Sequence, residues 1–180
     1  MIISDLDQFK RSAIDPTYPD NMRTFYSPED DVHGALKAII ESCKSSLVIA
    51  MYGYDDEELA GIIADHLNNP AIHCQITLDK SQAGGVHEKA ILEKYKAEME
   101  SNSVAIGTSE KGAIMHRKMV IVDGVWRVSG STNWSESGES KQDNECTILN
   151  SAIVCAEARR ILDLEHVKAL TQMEAARNKA

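Results

Sequence analysis

The sequence predicts an α/β domain: a mixed, largely parallel β-sheet with helices on both faces. Three observations point there. Short apolar runs alternate with stretches whose apolar residues recur at helical spacing, the rhythm of βαβ units. Past residue 107 that rhythm gives way to two short strands around Asp123-Gly124, a strong hairpin signal. Finally, 180 residues with 43% apolar and 26% charged content suit one globular domain with a real core.

Residues 1–21 form a polar lead-in containing Pro16 and Pro19, and residues 22–180 make up the domain. Met22 to Tyr26 is a short strand. Ser27-Pro28-Glu29-Asp30 looks like a helix start, with a serine cap, proline in the first turn and an acid three residues on. Val32, Leu36, Ile39, Ile40 and Cys43 then follow at helical spacing. Leu47 to Tyr52 is a continuous apolar run, as expected of a strand buried on both faces. Asp55 with Glu58 repeats the capping pattern, and Leu59, Ile62, Ile63 and Leu67 give the next helix its stripe. His73 to Leu78 is a strand, Val86 to Glu98 a helix, and Ser103 to Gly107 another strand. Met115 to Val122 and Val125 to Ser129 form the hairpin. Glu145 to Leu149 is the last strand, and Ala152 to about Lys179 a long terminal helix.

Cys43, Cys74, Cys146 and Cys155 form no CxxC pair and read as small buried hydrophobes with free thiols. No basic stretch precedes an apolar core at the N-terminus, and no apolar run approaches the ~20 residues of a membrane span, so the expected location is cytoplasmic. The net charge of −9 disfavours broad adhesion to nucleic acid or anionic lipid unless positive charge is gathered somewhere. It is gathered between Lys111 and Lys141, where five basic residues face three acids.

That segment contains HRKMVIVDGVWRVSGSTN, residues 116–133. Side chains alternate along a strand, so His116 and Lys118 share a face with Val120 and Val122 behind them. Asp123 has the opposite parity, at the turn, where it is placed to orient or neutralise. Ser131 and Asn133 share parity beyond the second strand, and Gly130 lets the backbones approach. Lysine brings charge, asparagine and serine bring hydrogen bonds, and histidine serves as nucleophile or proton carrier. The set suits an anionic phosphoryl group. It suits a metal poorly, since lysine is no ligand and no second histidine or carboxylate stands at ligand spacing. No metal and no cofactor are expected.

His116-x-Lys118-x4-Asp123-x6-Gly130-Ser131-x-Asn133 resembles the HKD motif of the phospholipase D superfamily. Around it, Ser27 to Tyr54 and the strand ending in Leu78-Asp79 are similar to the small single-motif bacterial nucleases of that superfamily, so the resemblance covers about Met22 to Ala158. It implies His116, Lys118 and Asp123 as catalytic, with Lys118, Ser131 and Asn133 holding phosphate. It also implies a glutamate that hydrogen-bonds the histidine. Glu145 is the first candidate and Asp143 its rival.

The superfamily's chemistry uses two motifs, one histidine attacking phosphorus while the other protonates the leaving oxygen. One imidazole cannot be both deprotonated nucleophile and protonated acid in one step. His87-Glu88-Lys89 is not the second copy, because Lys94 stands where aspartate is needed and no GSxN follows. The implied partner is therefore the chain itself, as a two-fold homodimer. The implied activity is a metal-independent phosphodiesterase working through phosphohistidine, with DNA or RNA as substrate. The alternatives are a phospholipase D-type lipid hydrolase, with membrane lipid as the less favoured partner, and a non-catalytic nucleic-acid or partner-binding module. Trp134 reads either as core or as a platform for a base.

Overall fold

A computed structural model describes residues 1–82 and 102–179; the helix expected over Val86 to Glu98, with His87, lies outside them. Among the described residues the strands are β1 (Met22–Ser27), β2 (Ser46–Met51), β3 (His73–Asp79), β4 (Ser103–Gly107), β5 (Lys118–Val122), β6 (Trp126–Gly130) and β7 (Asn144–Asn150). They form one sheet in the order β1-β7-β6-β5-β2-β3-β4. The sheet is mixed and the class α/β, as expected, but it is not largely parallel. Only β2–β3 and β3–β4 pair in parallel, while β2–β5, β5–β6, β6–β7 and β1–β7 are antiparallel. From β4 the chain returns past β3 and β2 to lay β5 antiparallel on the far side of β2, and β6 and β7 then follow as adjacent antiparallel neighbours.

Helices α1 (Val32–Glu41) and α2 (Glu57–Leu67) cover one face, and α4 (Ala152–Arg177) covers the other. The run in β2 shows why it is apolar throughout. Leu47, Ile49 and Met51 join the core under α1 and α2, while Val48 and Ala50 pack with Ile121, Cys155 and Leu162 beneath α4. His166 ties α4 down by bonds to Thr77 Oγ1 (2.8 Å) and Ser103 Oγ (2.7 Å). All four cysteines are free and buried, and burial pushes the Cys74 thiol up to about 12.

Two helix starts differ from the expected ones. The cap of α1 is Asp31, which accepts from the Gly34 amide, not Ser27. Ser27 ends β1 opposite Asn144, and its hydroxyl donates to the carbonyls of Gly138 and Gln142. The cap of α2 is Asp56, accepting from Leu59 N at 2.7 Å. A short helix, α3 (Glu136–Ser140), capped by Ser135, occupies a segment whose polar composition reads as loop. The lead-in packs onto the domain: Ile3 and Leu6 are buried in the α1 core, and Arg23 pairs with Asp7.

Candidate active site

Strand direction gathers the motif at one end of the sheet. Because β5 runs antiparallel to β2, Lys118 lies opposite Met51; because β6 runs antiparallel to β5, Ser129 lies opposite Met119. The start of β5, the ends of β2 and β6 and the start of β7 therefore share one edge.

His116 precedes β5 and is held by its neighbours in the chain. The Met115 amide donates to the fully buried Asp79 carboxylate at 2.5 Å. The Arg117 carbonyl accepts from Tyr52 N at 2.8 Å, extending the β2–β5 ladder, and the Arg117 guanidinium pairs with Glu165 of α4. The imidazole itself is exposed and packs on the Tyr52 ring, centroids 4.6 Å apart. Lys118 Nζ lies over the same ring at 4.8 Å and donates to the His116 carbonyl at 3.3 Å. Burial holds the Lys118 ammonium below the ordinary lysine range, and among the described residues no carboxylate pairs with it. A desolvated, unpaired cation is a binding site for an anion.

Asn133 reaches the same place from β6. Gly53, next to Tyr52, lies so close that a Cβ there would come within 3.0 Å of the Asn133 amide. The loop is fixed by Trp134 N donating to Gly53 O (3.0 Å) and Asp55 N donating to Trp134 O (2.6 Å). Trp134 is core, 2% exposed and edge-on to Tyr54. Asn133 Oδ1 is buried and accepts no hydrogen bond, so of this amide only the Nδ2 hydrogens suit a phosphoryl oxygen.

The remaining expected residues lie elsewhere. Ser131 sits where Gly130 lets β6 and β7 touch: a Cβ at Gly130 would stand 2.1 Å from the Glu145 carbonyl. The Ser131 hydroxyl donates to Asn144 Oδ1 (2.9 Å) and accepts from Glu145 N (3.0 Å), so its only proton is directed into the fold rather than toward a phosphate. Asp123 lies at the far end of β5, five residues from Lys118 and so about 17 Å away. Its carboxylate accepts from the amides of Lys44, Ser45 and Ser46 and from the Ser45 hydroxyl. It fixes the start of β2 and does not approach His116. Burial opposes its charge, yet these bonds outweigh burial and hold the carboxyl below its ordinary range. Glu145 is exposed; with Asp143, Ser131, Lys10 and Tyr26 it lines a hollow of about 890 Å³. His116 instead borders a separate cleft of about 530 Å³ with Lys111, Arg117 and Lys168. Within one chain neither Glu145 nor Asp143 meets His116. Sequence reasoning passed over Tyr52, Gly53 and Asp79, although all three stand at the C-terminal ends of apolar strand runs, where parallel-strand sites collect.

A family model described as "Cardiolipin synthase, PLD-like domain" matches residues 36–164. A mitochondrial cardiolipin hydrolase from Chlamydomonas reinhardtii is 21% identical over 122 residues, 68% of this chain and 52% of that one, so the chain spans about half of that relative. Among solved structures, the phospholipase D family member Nuc from Salmonella typhimurium superposes with a TM-score of 0.69 at 19% identity, over 82% of this chain and 94% of that one. NucT from Helicobacter pylori also gives 0.69, at 20% identity over 82% and 96%. These likenesses support the fold.

Proposed function

Because the chain belongs to the phospholipase D-like family, we propose that it hydrolyses phosphodiester bonds, with nucleic acid as substrate, at a site completed by a second copy of itself. The observation that carries this reading is the meeting of His116 and Lys118 on the Tyr52 ring, with Asn133 against the adjacent Gly53 and one such set per chain. Around His116 stand an ammonium and an amide, donors suited to phosphoryl oxygens.

In the dimer, Nε2 or Nδ1 of one His116 attacks phosphorus and the P–O bond to the leaving group breaks. The partner's His116, protonated, gives its proton to the departing oxygen. That same imidazole then takes a proton from water, whose oxygen attacks the phosphohistidine, and the P–N bond breaks to restore the first ring. Lys118 and Asn133 from both chains offset the charge on the non-bridging oxygens. Among the described residues no carboxylate meets His116 within one chain, and the exposed Glu145, with Asp143 as its rival, is the candidate to orient it across the dimer. Asp79 and Tyr52 act as positioning residues, holding the backbone and the ring face.

Size supports a nucleic-acid substrate, since the chain matches nearly the full length of two small bacterial relatives, Nuc and NucT. A phospholipid is the second reading, favoured by the cardiolipin-hydrolase relative and the family model. No helix among the described residues is long and apolar enough to cross a membrane. The test is cleavage of labelled single- and double-stranded DNA and RNA, and of cardiolipin-containing vesicles, in excess EDTA at low salt, with His116→Ala alongside. Cleavage of a polymer by wild type alone is the expected result. Cleavage of lipid alone would transfer the assignment to the second reading, and activity retained in His116→Ala would remove the histidine mechanism.

A further inference from the structure

A second cluster of chemistry-bearing side chains lies outside this site, where α1, α2 and α3 meet. His33 stands in the first turn of α1, Asp56 caps α2, Glu58 follows in its first turn, and Glu139 comes from α3. His33 Nδ1 faces two carboxylate oxygens at once, Glu139 Oε2 at 2.6 Å and Asp56 Oδ2 at 3.0 Å. Its Nε2 meets Glu58 Oε2 at 2.8 Å. One ligand atom from each of His33, Asp56 and Glu139 lies within 4.8 Å of the others.

The bonding within this cluster is incomplete. Glu139 is 3% exposed, and its second oxygen, Oε1, is buried with no hydrogen-bond partner. Asp56 is also buried; its Oδ1 already caps α2, which leaves Oδ2 for the cluster. Without a cation, His33 Nδ1 faces both carboxylates at once, and Glu139 Oε1 meets no donor. Leaving such a carboxylate oxygen unpaired is costly, because the group has lost its hydration with nothing in exchange.

A divalent cation resolves both defects. Tetrahedral bonds of roughly 2.0–2.2 Å place donors about 3.4 Å apart, so the 2.6 and 3.0 Å spacings at Nδ1 need open only slightly to admit the ion. Glu58 on Nε2 then has the role of the outer carboxylate found behind metal-bound histidines: it fixes the proton on Nε2 and turns the Nδ1 lone pair toward the cation. One imidazole with carboxylates, and no thiolate, selects a first-row transition ion over magnesium or calcium, which take all-oxygen sites. An open cleft of about 380 Å³, lined by His33, Asp56, Glu58, Glu136 and Glu139, gives access.

We propose that His33, Asp56 and Glu139 bind one first-row divalent cation such as Zn²⁺, with Glu58 orienting the imidazole. Binding exchanges the Nδ1 proton, released to solvent, for the metal. The ion would join α1, α2 and α3, and so brace the segment that runs from Asn133 through Trp134 and Ser135 into α3. It is a structural brace and takes no part in phosphoryl transfer.

The experiment is calorimetric titration of chelator-stripped full-length protein with Zn²⁺, paired with thermal unfolding. One equivalent per chain and a rise in Tm of about 5 °C or more are expected. Glu139→Gln should abolish both. Should that variant fold poorly, His33→Ala, whose side chain is a third exposed, provides the second check. His116→Ala must bind Zn²⁺ as wild type does, which separates this site from the catalytic reading. No stoichiometric binding, binding retained in both cluster variants, or an equal response to Mg²⁺ would overturn the proposal.

Discussion

At the Lys118 end of β5 the motif's side chains have bonding capacity unspent: an exposed imidazole, an ammonium with no carboxylate partner among the described residues, and an amide whose buried oxygen accepts nothing. At the Asp123 end the carboxylate is filled, by three backbone amides and a hydroxyl. The two ends belong to one stretch of sequence and are separated by one strand length. Open groups await a ligand; filled groups hold the sheet that presents them. On the proposed reading the contrast divides the motif into residues for chemistry and residues for architecture, with Asp123 and Ser131 on the architectural side.

The largest expected effect tests the open end. Mixing His116→Ala with Lys118→Ala chains should recover less than about a hundredth of wild-type cleavage, because the single composite site of every mixed dimer lacks one histidine and one lysine. Recovery of a substantial fraction would mean instead that each dimer holds two sites, each pairing His116 of one chain with Lys118 of the other, so that one site per mixed dimer stays intact. Cleavage rate against mixing ratio is the readout.

The filled end makes the opposite prediction. Asp123→Asn should lower stability by about 1–2 kcal/mol, through loss of charge-assisted bonds, with little change in activity per folded dimer. The sign of the pH dependence follows from the lowered carboxyl. A group with a depressed folded pKa contributes stability above its unfolded value of about 3.9, and that contribution fades as pH falls through the folded value. Urea midpoints of wild type and Asp123→Asn should therefore differ at pH 7 and converge in acid below about pH 4. A gap that persisted in acid would deny the carboxylate this role.

The smallest effect concerns Tyr52. Among the described residues its hydroxyl meets only Gln82 Nε2, at 3.3 Å on the surface, so Tyr52→Phe should be near wild type. Tyr52→Leu removes the ring on which both His116 and Lys118 rest, and should cost several-fold to about tenfold in kcat/KM. Equal losses in the two variants would point to the hydroxyl instead.

Much of this was legible in the chain. β4 has the bounds read from its residues, and β2, β5 and β7 differ at their ends by a few residues, because apolar runs between turn residues are a local signal. What failed was decided by distant partners. Ser27 has every local feature of a cap, yet pairing with β7 claims it for the sheet, and Asp31 one turn later takes the role. The segment Ser135 to Ser140 has no apolar stripe, and its helix rests on the Ser135 cap and on packing beneath α1. At the site, parity correctly separated Asp123 from His116 and Lys118, but only the strand order shows that they lie at opposite ends. Tyr52, Gly53 and Asp79 were hidden for a related reason: each acts through a neighbour, and adjacency across a sheet is not written in spacing along a chain.

Gly130 illustrates how differently two residues of one motif can be constrained. Any side chain there would collide with the Glu145 carbonyl 2.1 Å away, and since the obstacle is backbone, nothing can rotate aside. His116, by contrast, points into open cleft and can be exchanged without moving a strand. In a library of variants, a sort for soluble, folded chains would empty position 130 and leave position 116 populated. A sort for cleavage would empty both. The difference between those two maps, taken over all 180 positions, would separate what the chain needs to exist from what it needs to act.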